Sequence, residues 1–141
     1  GVHRFDFGVS LVEGTSTAAL LRASAEYRHA FSVLSTAPHA GSLPKTQGFV
    51  ELETGTVVLA AVKMPEDGGN RLVLRLHEAD GKEGAAVLRC FKAPTAAWLA
   101  DLNEQRLAAA PVPRVDGMTV SAPVAPHAVV TLIVEFGGAK A

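Results

Sequence analysis

Arg71-Leu72-Val73-Leu74-Arg75-Leu76-His77 decides the fold class. Leucine at every second position puts Leu72, Leu74 and Leu76 on one side of an extended chain and Arg71, Val73, Arg75 and His77 on the other. A period of two with one apolar side is the mark of a strand in a sheet buried on one face. The flanks agree with it. Pro65-Glu66-Asp67-Gly68-Gly69-Asn70 reads as a hairpin turn with glycines free to take positive φ, and before it Thr56 to Met64 is a nearly continuous apolar run. After it, Asp80-Gly81-Lys82-Glu83-Gly84 is a second turn, leading into Ala85 to Phe91.

Outward from that hairpin the same period recurs. Gln47 to Glu53 alternates, Thr95 to Asn103 follows the Lys92-Ala93-Pro94 turn, Met118 to Ala122 follows the Asp116-Gly117 turn, and Ala128 to Phe136 sets Val130, Leu132, Val134 and Phe136 on one side. Towards the N-terminus, Val2, Arg4, Asp6 and Gly8 alternate with His3, Phe5, Phe7 and Val9, an opening strand with an aromatic face, and Phe31 to Leu34 reads as a short strand. One helix is expected over residues 17 to 30, Ala-rich, with Leu20, Leu21, Tyr27 and Phe31 near one side and Ser16 or Thr17 as N-cap. The loop from Ser35 to Pro44 is held irregular by Pro38, Gly41 and Pro44, and the chain fades out through Gly137 to Ala141. About eight or nine strands separated by turns make an all-β fold, an antiparallel β-sandwich in a single domain over residues 1–141.

Composition narrows the function. At 141 residues the chain cannot hold a (β/α) barrel, which takes about 250. Thirteen Lys and Arg against 14 Asp and Glu leave a net charge of -1, too little for binding to nucleic acid or to an anionic membrane. With no apolar stretch near the ~20 residues that span a bilayer and no signal-peptide core, a soluble domain is expected. Cys90 alone allows no internal disulfide and, set in an apolar run without a cation, reads as a buried structural thiol. The chain starts without Met and drops straight into an alternation, which reads as a piece of a longer protein.

No catalytic motif stands out. Glu66, Asp67, Asp80, Glu83 and Asp116 fall in turns and Glu51 and Glu53 on a polar strand side, all explained by solvation. Asp101 and Glu104, around Leu102-Asn103, read as anchors for a strand end. His3, His29, His39, His77 and His127 include no i, i+4 pair for a metal, although His39 and His127 each follow a proline that fixes the ring for a ligand contact. Gly-x-Ser-x-Gly, Gly-x-Gly-x-x-Gly and P-loop patterns are absent. Trp98, among Ala96, Ala97, Leu99 and Ala100, is expected in the core rather than as a sugar-stacking platform.

The segment from Ala37 to Phe91 resembles the C-terminal β-domain of glycoside hydrolase family 38 α-mannosidases of the bacterial type. The resemblance rests on Pro38-His39-Ala40-Gly41-Ser42-Leu43-Pro44, Gly48-Phe49-Val50-Glu51-Leu52, Val57 to Lys63, Glu66-Asp67-Gly68 and Leu72 to Glu78, the combination of Val62-Lys63 followed by Glu66-Asp67-Gly68 with Arg75-Leu76-His77-Glu78 being the most specific. Ala97-Trp98, Asp101 to Glu104 and Pro126 to Leu132 are similar to its last strands, whereas His3-Arg4-Phe5 continues as Ser10 to Gly14 where the family has Tyr-Pro-His. The resemblance implies a retaining enzyme whose N-terminal barrel holds zinc, a nucleophilic Asp and an acid/base carboxylate, none of which maps onto this chain. It implies a non-catalytic domain with no cofactor of its own, partnered by the remaining domains of the parent and meeting mannosides through it, with His39 in the 37–44 loop as the substrate-rim candidate. A cytoplasmic bacterial parent is expected, and self-association into a homo-oligomer is a further option. The alternatives are an independent carbohydrate-binding module and an oligomerisation domain.

Overall fold

The computed structural model describes residues 1–14 and 16–138; Thr15, in the break before the helix, and the 139–141 part of the C-terminal tail lie outside the described residues. Among the described residues, one helix and eight strands follow in the order α1 (Thr17–Arg28), β1 (Val50–Leu52), β2 (Val57–Lys63), β3 (Arg71–Glu78), β4 (Gly84–Cys90), β5 (Pro94–Ala100), β6 (Arg114–Asp116), β7 (Thr119–Val124) and β8 (Val129–Phe136). They form two four-stranded sheets, β1-β4-β7-β6 and β2-β3-β8-β5, in which every pairing is antiparallel. The expected sandwich is what the chain forms, and α1 is the expected helix, ending at Arg28 rather than at residue 30. No helix among the described residues is long and apolar enough to cross a membrane.

The core lies between the sheets. Leu74 and Leu76 of β3, Ala97 and Leu99 of β5, and Leu132, Val134 and Phe136 of β8 face Ala86, Leu88 and Cys90 of β4 and Val120, Ala122 and Val124 of β7. The leucine alternation of β3 and the valine-leucine alternation of β8 point inward as their period requires. Cys90 is buried as expected, and burial raises its thiol pKa, because a thiolate has no favourable contact there.

A second apolar layer was not legible. Val73, Ala100 and Ile133 lie on the outer side of the β2-β3-β8-β5 sheet and are nonetheless buried, packed against Trp98. Val73 is therefore not on a solvent face. Trp98 is only half-buried on this outer side, with the Arg106 guanidinium 5.4 Å from its ring centroid, so its expected place in the main core is corrected. The parity explains it: Trp98 alternates with the inward Ala97 and Leu99, and the cover comes from the segment after β5 folding back. Arg106 bridges to Ala100, the Leu107 N–H donates to the Leu99 carbonyl (3.0 Å), and Arg75 donates to the Leu102 carbonyl (3.0 Å).

The opening strand over residues 2 to 9 and the short strand over Phe31 to Leu34 do not form; both segments are exposed and have no strand partner among the described residues. Their alternation is real, but alternation makes a strand only where a sheet edge accepts it. The expected strands at Gln47 to Glu53 and Thr95 to Asn103 shorten to Val50–Leu52 and Pro94–Ala100, and β6 is an addition, too short at three residues to show a period. Leu88→Ala, in the centre of the main core, is expected to lower stability by about 2–5 kcal/mol in urea unfolding, whereas Val33→Ala should stay within about 0.5 kcal/mol.

Candidate functional site

Glu78 is the fourth residue of the inward side of β3, after Leu72, Leu74 and Leu76, and its side chain is buried at 1% exposure. A carboxylate there must be hydrogen-bonded to be tolerated. Its Oε1 accepts the Asp80 N–H (3.1 Å), and its Oε2 accepts the N–H groups of Gly81 (2.8 Å) and His127 (3.0 Å). Burial is the largest influence and pushes the Glu78 pKa up, but the backbone donors of His127, Asp80, Lys82 and Gly81 together outweigh it and leave the group below the usual carboxylate range. One side chain thereby joins the β3–β4 turn to the loop before β8.

The same turn holds the helix. Asp80 accepts the Ser16 hydroxyl (2.8 Å) and the Ala18 N–H (3.2 Å), while Ser16 Oγ accepts the Ala19 N–H (3.2 Å) as N-cap. The Ser16 hydroxyl is the main reason the Asp80 pKa is lowered, against burial, with the Ala18 and Thr17 N–H groups adding to it. Asp80 is therefore not simply a solvated turn residue. Ala18, in the first turn of α1, is fully buried, and farther along the helix Arg22 donates to the carbonyls of Thr54, Gly55 and Val57.

Gly81 closes the turn. Its φ is +72°, and a Cβ placed on it would lie 2.7 Å from His127 Nε2, so both backbone conformation and space call for glycine. His127 itself adopts φ 57° and offers its N–H to Glu78. The proline-fixed His127 is thus placed as a structural element of this turn pair.

On the outer side of the β2-β3-β8-β5 sheet, Lys63 donates to Glu104 Oε1 and Glu66 Oε1, both at 2.6 Å, and Glu104 Oε2 accepts the Glu66 N–H at 3.0 Å. Bonding to Glu104 and then to Glu66 raises the Lys63 pKa; bonding to Lys63 and then to the Glu66 N–H lowers that of Glu104. Glu104 takes φ 66°, an unfavourable backbone for this residue type, which its side-chain bonds hold in place. The Asp101 carboxylate accepts the N–H groups of Asn103 and Gln105, both at 2.9 Å. The reading of Asp101 and Glu104 as anchors of a strand end is what the contacts show.

His39 lies in an exposed, irregular stretch, its Nδ1 2.9 Å from the Ala37 carbonyl oxygen. It is not brought together with Glu78, Asp80, Lys63 or Glu104 by any hydrogen bond among the described residues. Glu51, Glu83 and Asp116 are exposed; Asp116 pairs with Arg114 across 3.0 Å. No three His, Cys, Asp or Glu side chains among the described residues converge as metal ligands would. Glu78 and Asp80 were missed as a pair, although one signal existed: Glu78 continues the parity of Leu72, Leu74 and Leu76.

Two antiparallel sheets around one core, with Glu78 and Asp80 bonded into turns and a helix cap, define a β-sandwich domain. The family model for the glycosyl hydrolases family 38 C-terminal beta sandwich domain matches residues 56–132, from the residue before β2 into the middle of β8. The chain belongs to that family. No curated protein and no solved structure matches it.

Two outcomes follow from these clusters. Glu78, Asp80 and Glu104 all have lowered pKa values, so their contribution to stability is present above the ordinary carboxylate range and disappears as pH falls through the folded values. Urea midpoints should therefore hold from neutral pH to about 5 and decline below about 4, with a shallower acid decline in Glu78→Gln. Gly81→Ala is expected to be destabilising by about 1–3 kcal/mol by the same measurement, through the positive φ and the His127 ring together.

Proposed function

We propose that this chain is the non-catalytic C-terminal β-sandwich domain of a retaining, metal-dependent α-mannosidase, a support for the catalytic barrel of a larger enzyme that hydrolyses terminal α-mannosides. The observation that carries the reading is the family match over β2 to β8. Belonging to a glycoside hydrolase family 38 C-terminal domain makes the other domains of such an enzyme its natural partners. The clusters of this chain are consistent with support rather than chemistry: Glu78 is surrounded by backbone donors, and Glu104 is engaged by Lys63 and by the Glu66 N–H. In this reading the nucleophile, the acid/base carboxylate and zinc belong to the parent's barrel.

The loop carrying His39 is the part of this domain that we assign to the substrate rim. It stands out from the sandwich with its imidazole exposed, which suits a contact to a sugar hydroxyl.

Assays with an aryl α-mannoside test the reading. The parent enzyme should turn it over and the chain alone should not; hydrolysis by the chain overturns the non-catalytic assignment. Saturable binding of mannose to the chain alone in calorimetry would instead favour an independent carbohydrate-binding module. In the parent, His39→Ala is expected to raise KM by about 2- to 10-fold with kcat retained, the size of one lost rim hydrogen bond.

A further inference from the structure

Phe5, Phe7, Val9 and Leu11 occupy every second position of the N-terminal segment and are all exposed, Phe5 at 75% and Phe7 at 87%. Arg4, Asp6, Gly8 and Ser10 alternate with them, and Arg4 pairs with Asp6 two residues on at 3.2 Å, as neighbours on one side of an extended chain do. The segment is held on the domain from one direction: the Tyr27 ring of α1 lies so close to Gly8 that a Cβ there would be 2.7 Å from Cε2. The main core is complete without any of the four apolar side chains. They make the half of a strand that faces a core, with no core against it.

Strands of this kind are completed by a free sheet edge. Residues 3–11 would extend about 30 Å, at about 3.3 Å per residue. The four edges of this sandwich do not suit them. β1 and β6 are three residues each. β5 begins at Pro94, has an irregular register between Pro94 and Ala96, and is covered at its far end by Arg106 and by the Leu107 N–H bonded to Leu99. β2 carries a register shift between Leu59 and Ala61 in its pairing with β3, and Arg22 of α1 takes its Val57 carbonyl. A second copy of this chain therefore offers no matching edge.

We propose that residues 3–11 add as a strand to the edge of a sheet in another domain of the parent enzyme, burying Phe5, Phe7, Val9 and Leu11 against that domain's core. The acceptor is a β-sheet with an apolar inner face and an open edge long enough for this strand; the proposal rests on the parent reading above. The strand then ties the sandwich to its neighbour through main-chain hydrogen bonds, with α1 and Tyr27 as the support on this side.

Hydrogen exchange of the parent enzyme, followed by mass spectrometry on peptides covering residues 3–11, tests it. Exchange slowed on the order of 100-fold relative to the free chain of residues 1–141 is expected, and Phe7→Asp in the parent should remove that protection while β3 stays protected. Free exchange of residues 3–11 in the parent overturns the proposal. So does protection in the free chain that rises with concentration alongside a dimer mass, since the acceptor would then be a second copy. The parent reading fails separately: a parent that is inactive on aryl α-mannoside with residues 3–11 protected loses the mannosidase assignment and keeps the strand, and an active parent with them unprotected does the reverse.

Discussion

A carboxylate on the core side of β3 constrains the whole end of the sandwich. Glu78 follows three inward leucines, and the period of the strand leaves its side chain nowhere to go but beneath the turns. Burying a charge without partners is prohibitive, so the chain must deliver donors to it. It does so with backbone N–H groups from the β3–β4 turn and from the loop before β8. The two loops are thereby fixed to one another, Gly81 is forced into positive φ under the His127 ring, and Asp80 is held where it can accept from Ser16 and Ala18. The N-terminus of α1 is thereby tied, through Asp80, to a charge buried in a strand many residues later.

The opposite problem is solved on the outer side of the β2-β3-β8-β5 sheet. Val73, Ile133 and Ala100 would expose an apolar patch if the sheet faced water, and the segment after β5 turns back over them instead. That fold-back needs a tight turn, with Glu104 at φ 66°, and the Lys63-Glu104-Glu66 cluster secures it to β2 and the β2–β3 turn. Membership of the glycosyl hydrolases family 38 C-terminal sandwich domains covers this framework, residues 56–132 spanning both Glu78 and Glu104. The helix, the His39 loop and the exposed N-terminal alternation lie outside that span.

Strands β3 and β8 were legible because their periods are long enough to be unambiguous, and β2 and β4 because turn residues bound them: Pro65 to Asn70 between β2 and β3, Asp80 to Gly84 between β3 and β4. The buried thiol of Cys90, an N-cap at Ser16 or Thr17 and the anchoring role of Asp101 were legible for local reasons as well. Residues 2 to 9 and Phe31 to Leu34 carried the same period and formed no strand, since period describes one partner of a pair and says nothing about the other.

The sequence by itself determined the antiparallel all-β class, the inward sides of β3 and β8, and the turns at Gly68, Gly81 and Gly117, all of which follow from alternation and from positions that favour positive φ. Tertiary structure alone decided that Glu78 and Asp80 would form one bonded chain with Ser16, that Trp98 would be covered by Arg106, and that Lys63 would meet Glu104. Each of those depends on loops brought together from distant parts of the chain, and a hydrogen bond or an ion pair across such a distance leaves no periodic trace along it.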